Sequence, residues 1–227
     1  MADLFARAPS PDTVAAGPRP LADRLRPRAL SEVIGQGQLL GPDGSLRVML
    51  DAGTLGSLIF WGPPGVGKTT IARLLAQETD LTFVQISAIF TGMPDLRKVF
   101  EAAKLRRANG GGTLLFVDEI HRFNKAQQDG FLPHMEDGTI LLVGATTENP
   151  SFELNAAVLS RSQVLVLERL TDDDLDQLIV RAETDLGTTL PLTDDARASL
   201  REMADGDGRY LLNLVEQVYT FAGHGAP

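Results

Sequence analysis

Between residues 57 and 167 the chain alternates two kinds of apolar pattern. Short runs rich in β-branched and aromatic residues fall at Ser57–Trp61, Thr82–Ser87, 113–119, 138–147 and 164–167, and predict strands. Between them apolar residues recur every three or four positions and predict helices over 44–50, 70–77 and 94–107. In the third of these, Leu96, Val99, Phe100 and Ala103 share one face. A further helix is expected to open at Arg122 and run through Phe131, Leu132 and Met135, and a short one over 156–162. After residue 170 the strands cease. Thr171 and Thr193, each followed by aspartates, look like helix N-caps with acidic first turns, and a third helix starts near 206–214. The pattern predicts an α/β fold, a three-layer core with a parallel sheet, followed by a small all-α unit. The expected divisions are a tail at 1–20, a core at 21–169 and a helical unit at 170–227.

Composition narrows the function classes. The 227 residues carry a formal charge of −9 and no cysteine. Disulfides and thiolate metal sites are excluded, and a reducing cytoplasmic setting, with nucleoid association an option, is expected. The N-terminus lacks the apolar core of a signal peptide, and no apolar run approaches membrane-spanning length, so no membrane partner is expected. So acidic a chain is a poor bulk electrostatic partner for nucleic acid. Local basic faces matter more: Arg97, Lys98, Lys104, Arg106 and Arg107 on the 94–107 helix either meet solvent or contact DNA. The Ala/Pro/Asp/Gly-rich tail reads as flexible. Its Asp3-Leu4-Phe5 faintly resembles the end of a clamp-binding peptide but lacks the usual glutamine.

The chemistry concentrates at strand ends. Gly62-Pro63-Pro64-Gly65-Val66-Gly67-Lys68-Thr69-Thr70 follows the first strand and opens a helix, the context that a phosphate-binding loop requires. Glycines let amide groups turn inward around phosphate oxygens, the helix N-terminus adds its dipole, Lys68 adds a point charge, and the Thr69 hydroxyl is placed for Mg²⁺. ATP with Mg²⁺ is the expected ligand pair. Asp118 and Glu119 end a buried-type strand, where open α/β sheets place ligands. Asp118 suits the metal, and Glu119 can orient or deprotonate an attacking water. Thr147, at the end of the next strand beside Thr146 and Asn149, is the candidate sensor of the γ-phosphate, or else a strand-end cap. Ahead of the first strand, Arg26 and Pro27 in the Arg-rich stretch 21–30 are candidate nucleotide-binding residues. Val33 and Ile34 form an apolar hook that either packs on adenine or belongs to the core. His121 is expected to pack or hydrogen-bond rather than catalyse.

These motifs together resemble the AAA+ ATPases. More narrowly, the runs Asp118-Glu119-Ile120-His121-Arg122-Phe123-Asn124-Lys125-Ala126-Gln127-Gln128-Asp129 and Gly144-Ala145-Thr146-Thr147-Glu148-Asn149-Pro150-Ser151-Phe152-Glu153-Leu154-Asn155 are similar to the Werner-helicase-interacting protein family. So are 20–27 and 33–36, and the similarity extends over about 20–222. The resemblance implies that Arg161 is an arginine finger reaching a neighbouring subunit's nucleotide, and that Arg209 in Gly206-Asp207-Gly208-Arg209 is a sensor arginine acting within its own subunit. It implies DNA single-strand ends or forks as partner, homo-oligomerisation, and single-strand-binding protein as a partner of longer members. Those members continue into an oligomerising collar, so this chain is expected to be the ATPase core alone, its assembly in doubt. Clamp-loader and branch-migration subunits share the ATPase motifs. A nucleotide-dependent interaction module is the non-enzymatic alternative. Gly208, where the family usually has alanine, is expected to weaken its helix start by about 0.5–1 kcal/mol.

Overall fold

The computed structural model describes residues 19–224, so residues 1–18 of the tail, with Asp3-Leu4-Phe5, lie outside the described residues. Five strands, β1 (Ser57–Trp61), β2 (Thr82–Ser87), β3 (Thr113–Asp118), β4 (Leu141–Thr146) and β5 (Ser162–Val166), form one parallel sheet in the order β2-β3-β4-β1-β5. Strand alternation divides the apolar side chains between the two faces. Leu58, Phe60, Leu114, Phe116, Val143 and Ala145 pack with Ile71 and Leu75 of the helix Lys68–Glu78. Ile59, Leu115, Val117 and Leu142 pack on the other face with Leu96, Phe100 and Ala103 of the helix Met93–Ala108, and with Phe131. The last strand is the least covered on its apolar side chains. β5 is an edge, and Val164 and Val166 remain 38% and 49% exposed. An apolar run predicts the strand, but sequence alone does not say how many of a strand's sides are covered.

The helices Asp172–Leu186, Asp194–Ala204 and Gly208–Tyr219 build a third cluster from Leu175, Ile179, Ala182, Leu200, Leu211 and Val215. Leu21 and Leu25 join it, and the Leu21 amide donates to Glu216 at 3.1 Å. These contacts strap residues 21–25 to the last helices. The negative charge is equally uneven. Residues 170–227 hold twelve Asp or Glu against four Lys or Arg, a formal −8, which leaves the first 169 residues close to neutral.

The helix expected to run from Arg122 to Met135 is broken into Ile120–Arg122, a 3₁₀ turn, then Lys125–Asp129 and Leu132–Glu136. Asn124 caps the middle piece through a reciprocal bond with Gln127, Gly130 interrupts it, and Pro133 starts the next. In the last piece His134 stacks on Phe100, ring centroids 4.2 Å apart, with its Nδ1 buried and unpartnered. Burial first, and Lys104 next, hold its pKa below 6.5, against Asp137 and Glu101. The folded chain therefore binds this proton less readily than the unfolded one, and stability falls as pH drops through about 6.5. His134→Phe keeps the stacking and removes the titration. Its melting temperature should drop less between pH 7.5 and pH 5; a profile parallel to the parent's rules out this role.

Candidate active site

The phosphate loop leaves β1 at its C-terminal end and is pinned on both sides. The Gly62 amide donates to the Thr146 carbonyl, and the Leu167 amide donates to the Trp61 carbonyl. Val66 is buried in the core beneath the loop. Gly67 caps the following helix at φ 98°, a conformation costly to any side chain. The amides of Gly65, Val66 and Gly67 donate to no acceptor among the described residues. Three adjacent unpaired donors at a helix start suit phosphate oxygens.

Lys68 is 9% exposed, and its Nζ donates to the Gly62 carbonyl at 2.7 Å and the Pro63 carbonyl at 2.6 Å. An ammonium has three hydrogens, so one remains for a ligand. Burial is the main cause that holds its pKa below the usual lysine value. The carboxylates of Glu119, Asp118 and Asp207 oppose that shift, and Arg209 adds to it. The ammonium therefore sits in a desolvated place faced by anions.

Asp118 ends β3, and Glu119 stands in the left-handed region at φ 54°, ψ 44°. The Arg122 amide bonds back to the Glu119 carbonyl at 2.8 Å and holds this turn. The strain is of the kind that collects at functional sites. One cleft is lined by Pro64 to Thr70, Asp118, Glu119, Thr147 and Arg209, together with Arg26, Pro27, Val33 and Ile34. Gly62 and Pro63 reach it only through the carbonyls that hold Lys68. Thr146 does not face the cleft; it is fully buried and bonded to His121. Arg161 is exposed and outside the cleft, with Nε 2.7 Å from Glu136 Oε1.

Several lining residues were not singled out from the sequence. Ala22, Leu25, Leu170, Leu178 and Leu212 extend the apolar wall begun by Val33 and Ile34 into a slot suited to a flat base. They carry only an ordinary core pattern, and their position depends on the C-terminal helices folding over the loop. Asp207 lies so close to Gly65 that a Cβ there would fall 1.7 Å from its carboxylate oxygen. The Asp207 side chain also caps the last helix by accepting from the Tyr210 amide at 2.8 Å. A Cβ on Gly208 would meet methyls of Leu170 and Leu178 at 2.8 Å. Glycine at the helix start therefore makes room for this contact, which offsets the weak propensity expected of it.

Gln128 has a structural role that its motif alone does not show. It is 2% exposed; its amide group donates to the carbonyls of Phe123 and Glu153 and its oxygen accepts from the Asn155 amide. Asn155 in turn caps the short helix Ala156–Leu159 that precedes Arg161. The side chain ties the Glu119 turn to the Arg161 segment. Gln128→Ala removes the partner of one buried and two part-buried backbone groups and should cost about 2–4 kcal/mol in denaturant unfolding.

Residues 58–170 match the family model of the ATPase family associated with various cellular activities (AAA). The chain belongs to the AAA family of ATPases. It is 46% identical over 209 residues to replication-associated recombination protein A of Escherichia coli K12, covering 90% of this chain and 47% of that protein. It is 50% identical over 208 residues to the Coxiella burnetii protein of the same name, covering 89% and 47%. With the ATPase WRNIP1 of Dictyostelium discoideum it shares 43% identity over 201 residues, 87% of this chain and 23% of the relative. The chain thus spans about half the length of its bacterial relatives or less. Among solved structures, the Thermotoga maritima RuvB Holliday junction branch migration motor superposes with a TM-score of 0.70 at 28% identity, covering 88% of this chain and 68% of that one. This AAA chain thus shares its architecture with a branch-migration motor and its sequence more closely with the recombination-associated group. No described helix is long and apolar enough to cross a membrane.

Proposed function

We propose that this chain binds and hydrolyses Mg-ATP and that the resulting motion remodels DNA or protein–DNA complexes at stalled replication forks, within replication-associated recombination and repair. The observation that carries the enzymatic part is the single cleft shared by the unpaired loop amides, the buried Lys68 ammonium and the strained Glu119 carboxylate. In this reading the amides and Lys68 hold the phosphates, and the apolar slot receives the base. Thr69 and Asp118 offer two hard oxygen donors, enough for Mg²⁺, which takes few protein ligands beside phosphates and waters. The bound ion would neutralise charge that builds on the phosphate oxygens. Glu119 orients the attacking water and accepts its proton. Thr147 and Arg209 contact the terminal phosphate from the sheet and from the helical lid at 170–227. Arg161, held outside its own cleft, acts on a neighbour's.

The DNA role rests on the relatives' names, and identities of 46–50% to the recombination-associated proteins favour it over branch migration at 28%. The helix Met93–Ala108 gives it little support. Lys98, Lys104 and Arg107 pair with Asp95, Glu101 and Asp137, and Arg106 bonds to Thr113, so much of the basic face is engaged. DNA ends or forks, further copies of the chain and, for longer members, single-strand-binding protein are the proposed partners, in the cytoplasm. ATPase rate against protein concentration, with and without forked DNA, tests this. A rate per subunit that rises with concentration and with forks is expected. A flat, near-zero rate with intact ATP binding leaves a nucleotide-dependent interaction module instead.

A further inference from the structure

We infer that His121 is a positioning residue: it holds the Glu119 carboxylate in its working orientation and ties it to the end of β4. The inference rests on the assignment of Glu119 as the group that prepares water.

The His121 side chain is only 5% exposed and lies between two partners. Its Nε2 is 3.3 Å from Glu119 Oε2, and its Nδ1 is 2.9 Å from Thr146 Oγ1. Thr146 is the last residue of β4, fully buried, and accepts from the Glu148 amide at 3.0 Å. The chemistry of the groups sets the direction of this chain. An ionised carboxylate only accepts, so Nε2 of the neutral ring carries the hydrogen and Nδ1 accepts from the Thr146 hydroxyl, whose one hydrogen then goes to the ring at 2.9 Å in preference to the Glu148 carbonyl at 3.2 Å. The first two links are hydrogen bonds, backbone amide to hydroxyl and hydroxyl to imidazole; the third, at 3.3 Å, is an electrostatic contact that sets the ring against the carboxylate.

The placement has a mechanical consequence. Glu119 is a partly exposed side chain on a strained residue, and without a partner it would sample several rotamers. Thr147, the next residue after Thr146, lines the cleft. A displacement of Thr147 by ligand contact would therefore move Thr146, and through the ring would turn Glu119.

The test compares His121→Ala, His121→Gln and His121→Asn with Thr146→Val and Glu119→Gln, each in turnover and in binding of a fluorescent ATP analogue. A Gln side chain reaches the position of Nε2 and can donate to Glu119; Asn reaches only the position of Nδ1. His121→Ala should lose about 10²-fold in kcat with little change in KM or analogue affinity. His121→Gln should recover more of this loss than His121→Asn, and Thr146→Val should add nothing to His121→Ala. A second measurement needs no turnover. Side-chain ¹⁵N spectra of the histidines, with the His121 signals assigned by His121→Asn, should show the Nε2–H tautomer. Nδ1 should shift in Thr146→Val, and Nε2 in Glu119→Gln. Equal losses in the Gln and Asn variants, additive losses with Thr146→Val, or an Nδ1–H tautomer would overturn the inference. Undiminished turnover in Glu119→Gln would instead remove the assignment on which it rests.

Discussion

Glu119→Gln should bind ATP as tightly as the parent and hydrolyse it about 10²–10⁴-fold more slowly. The amide keeps the size of the side chain and can still hydrogen-bond, but it cannot take a proton from water at neutral pH. The groups proposed to hold the ligand are separate residues: the loop amides, Lys68, Thr69 and Asp118. They stand on the loop after β1, the first turn of the helix it opens and the end of β3, and Glu119 carries none of the loop's hydrogen bonds. Loss of binding together with turnover would mean that Glu119 supports the cleft rather than the reaction. Stopped-flow release of phosphate beside equilibrium binding separates the two.

Arg161→Ala should lower turnover by about 10³–10⁵-fold in an assembling preparation, the range for an arginine supplied in trans. The side chain projects from the segment after Ala156–Leu159, donates to the Ala157 carbonyl at 3.0 Å and pairs with Glu136. None of these contacts faces its own cleft. The partially exposed pair with Glu136 is worth little to stability, so the variant should melt close to the parent. Mixing Arg161→Ala subunits with Lys68→Ala subunits gives the decisive result. Each supplies what the other lacks, so co-assembled mixtures should recover activity that neither has alone. No recovery in a mixture shown by mass to co-assemble would place Arg161 outside the reaction.

The chain's own order of residues made much of this readable. The phosphate loop depends on local geometry: a strand, a turn that only glycines relax into, and a helix start, all within fourteen consecutive residues (57–70). Asp118 and Glu119 were legible for a similar reason, since a buried apolar strand that ends in two acids delivers them to the ligand edge of a parallel sheet. Short-range spacing therefore determined the strands β1 to β4, the loop, its lysine and the acids opposite.

What spacing could not settle are contacts between residues far apart in the chain. The exposure of β5 depended on its place in the strand order. The break at Gly130 followed from competing caps and from Phe131 turning into the core. The base slot needed Leu25, Leu170 and Leu212 to converge, and the contact of Asp207 with Gly65 spans 142 residues of sequence. His121 gained a role only when Thr146, 25 residues later, was placed on its far side. The sequence by itself determined the chemistry available and the elements that present it, because propensity and patterning act within a few residues. The tertiary structure alone decided which polar groups are buried together and which helix closes over the loop, because those outcomes depend on how separate elements pack.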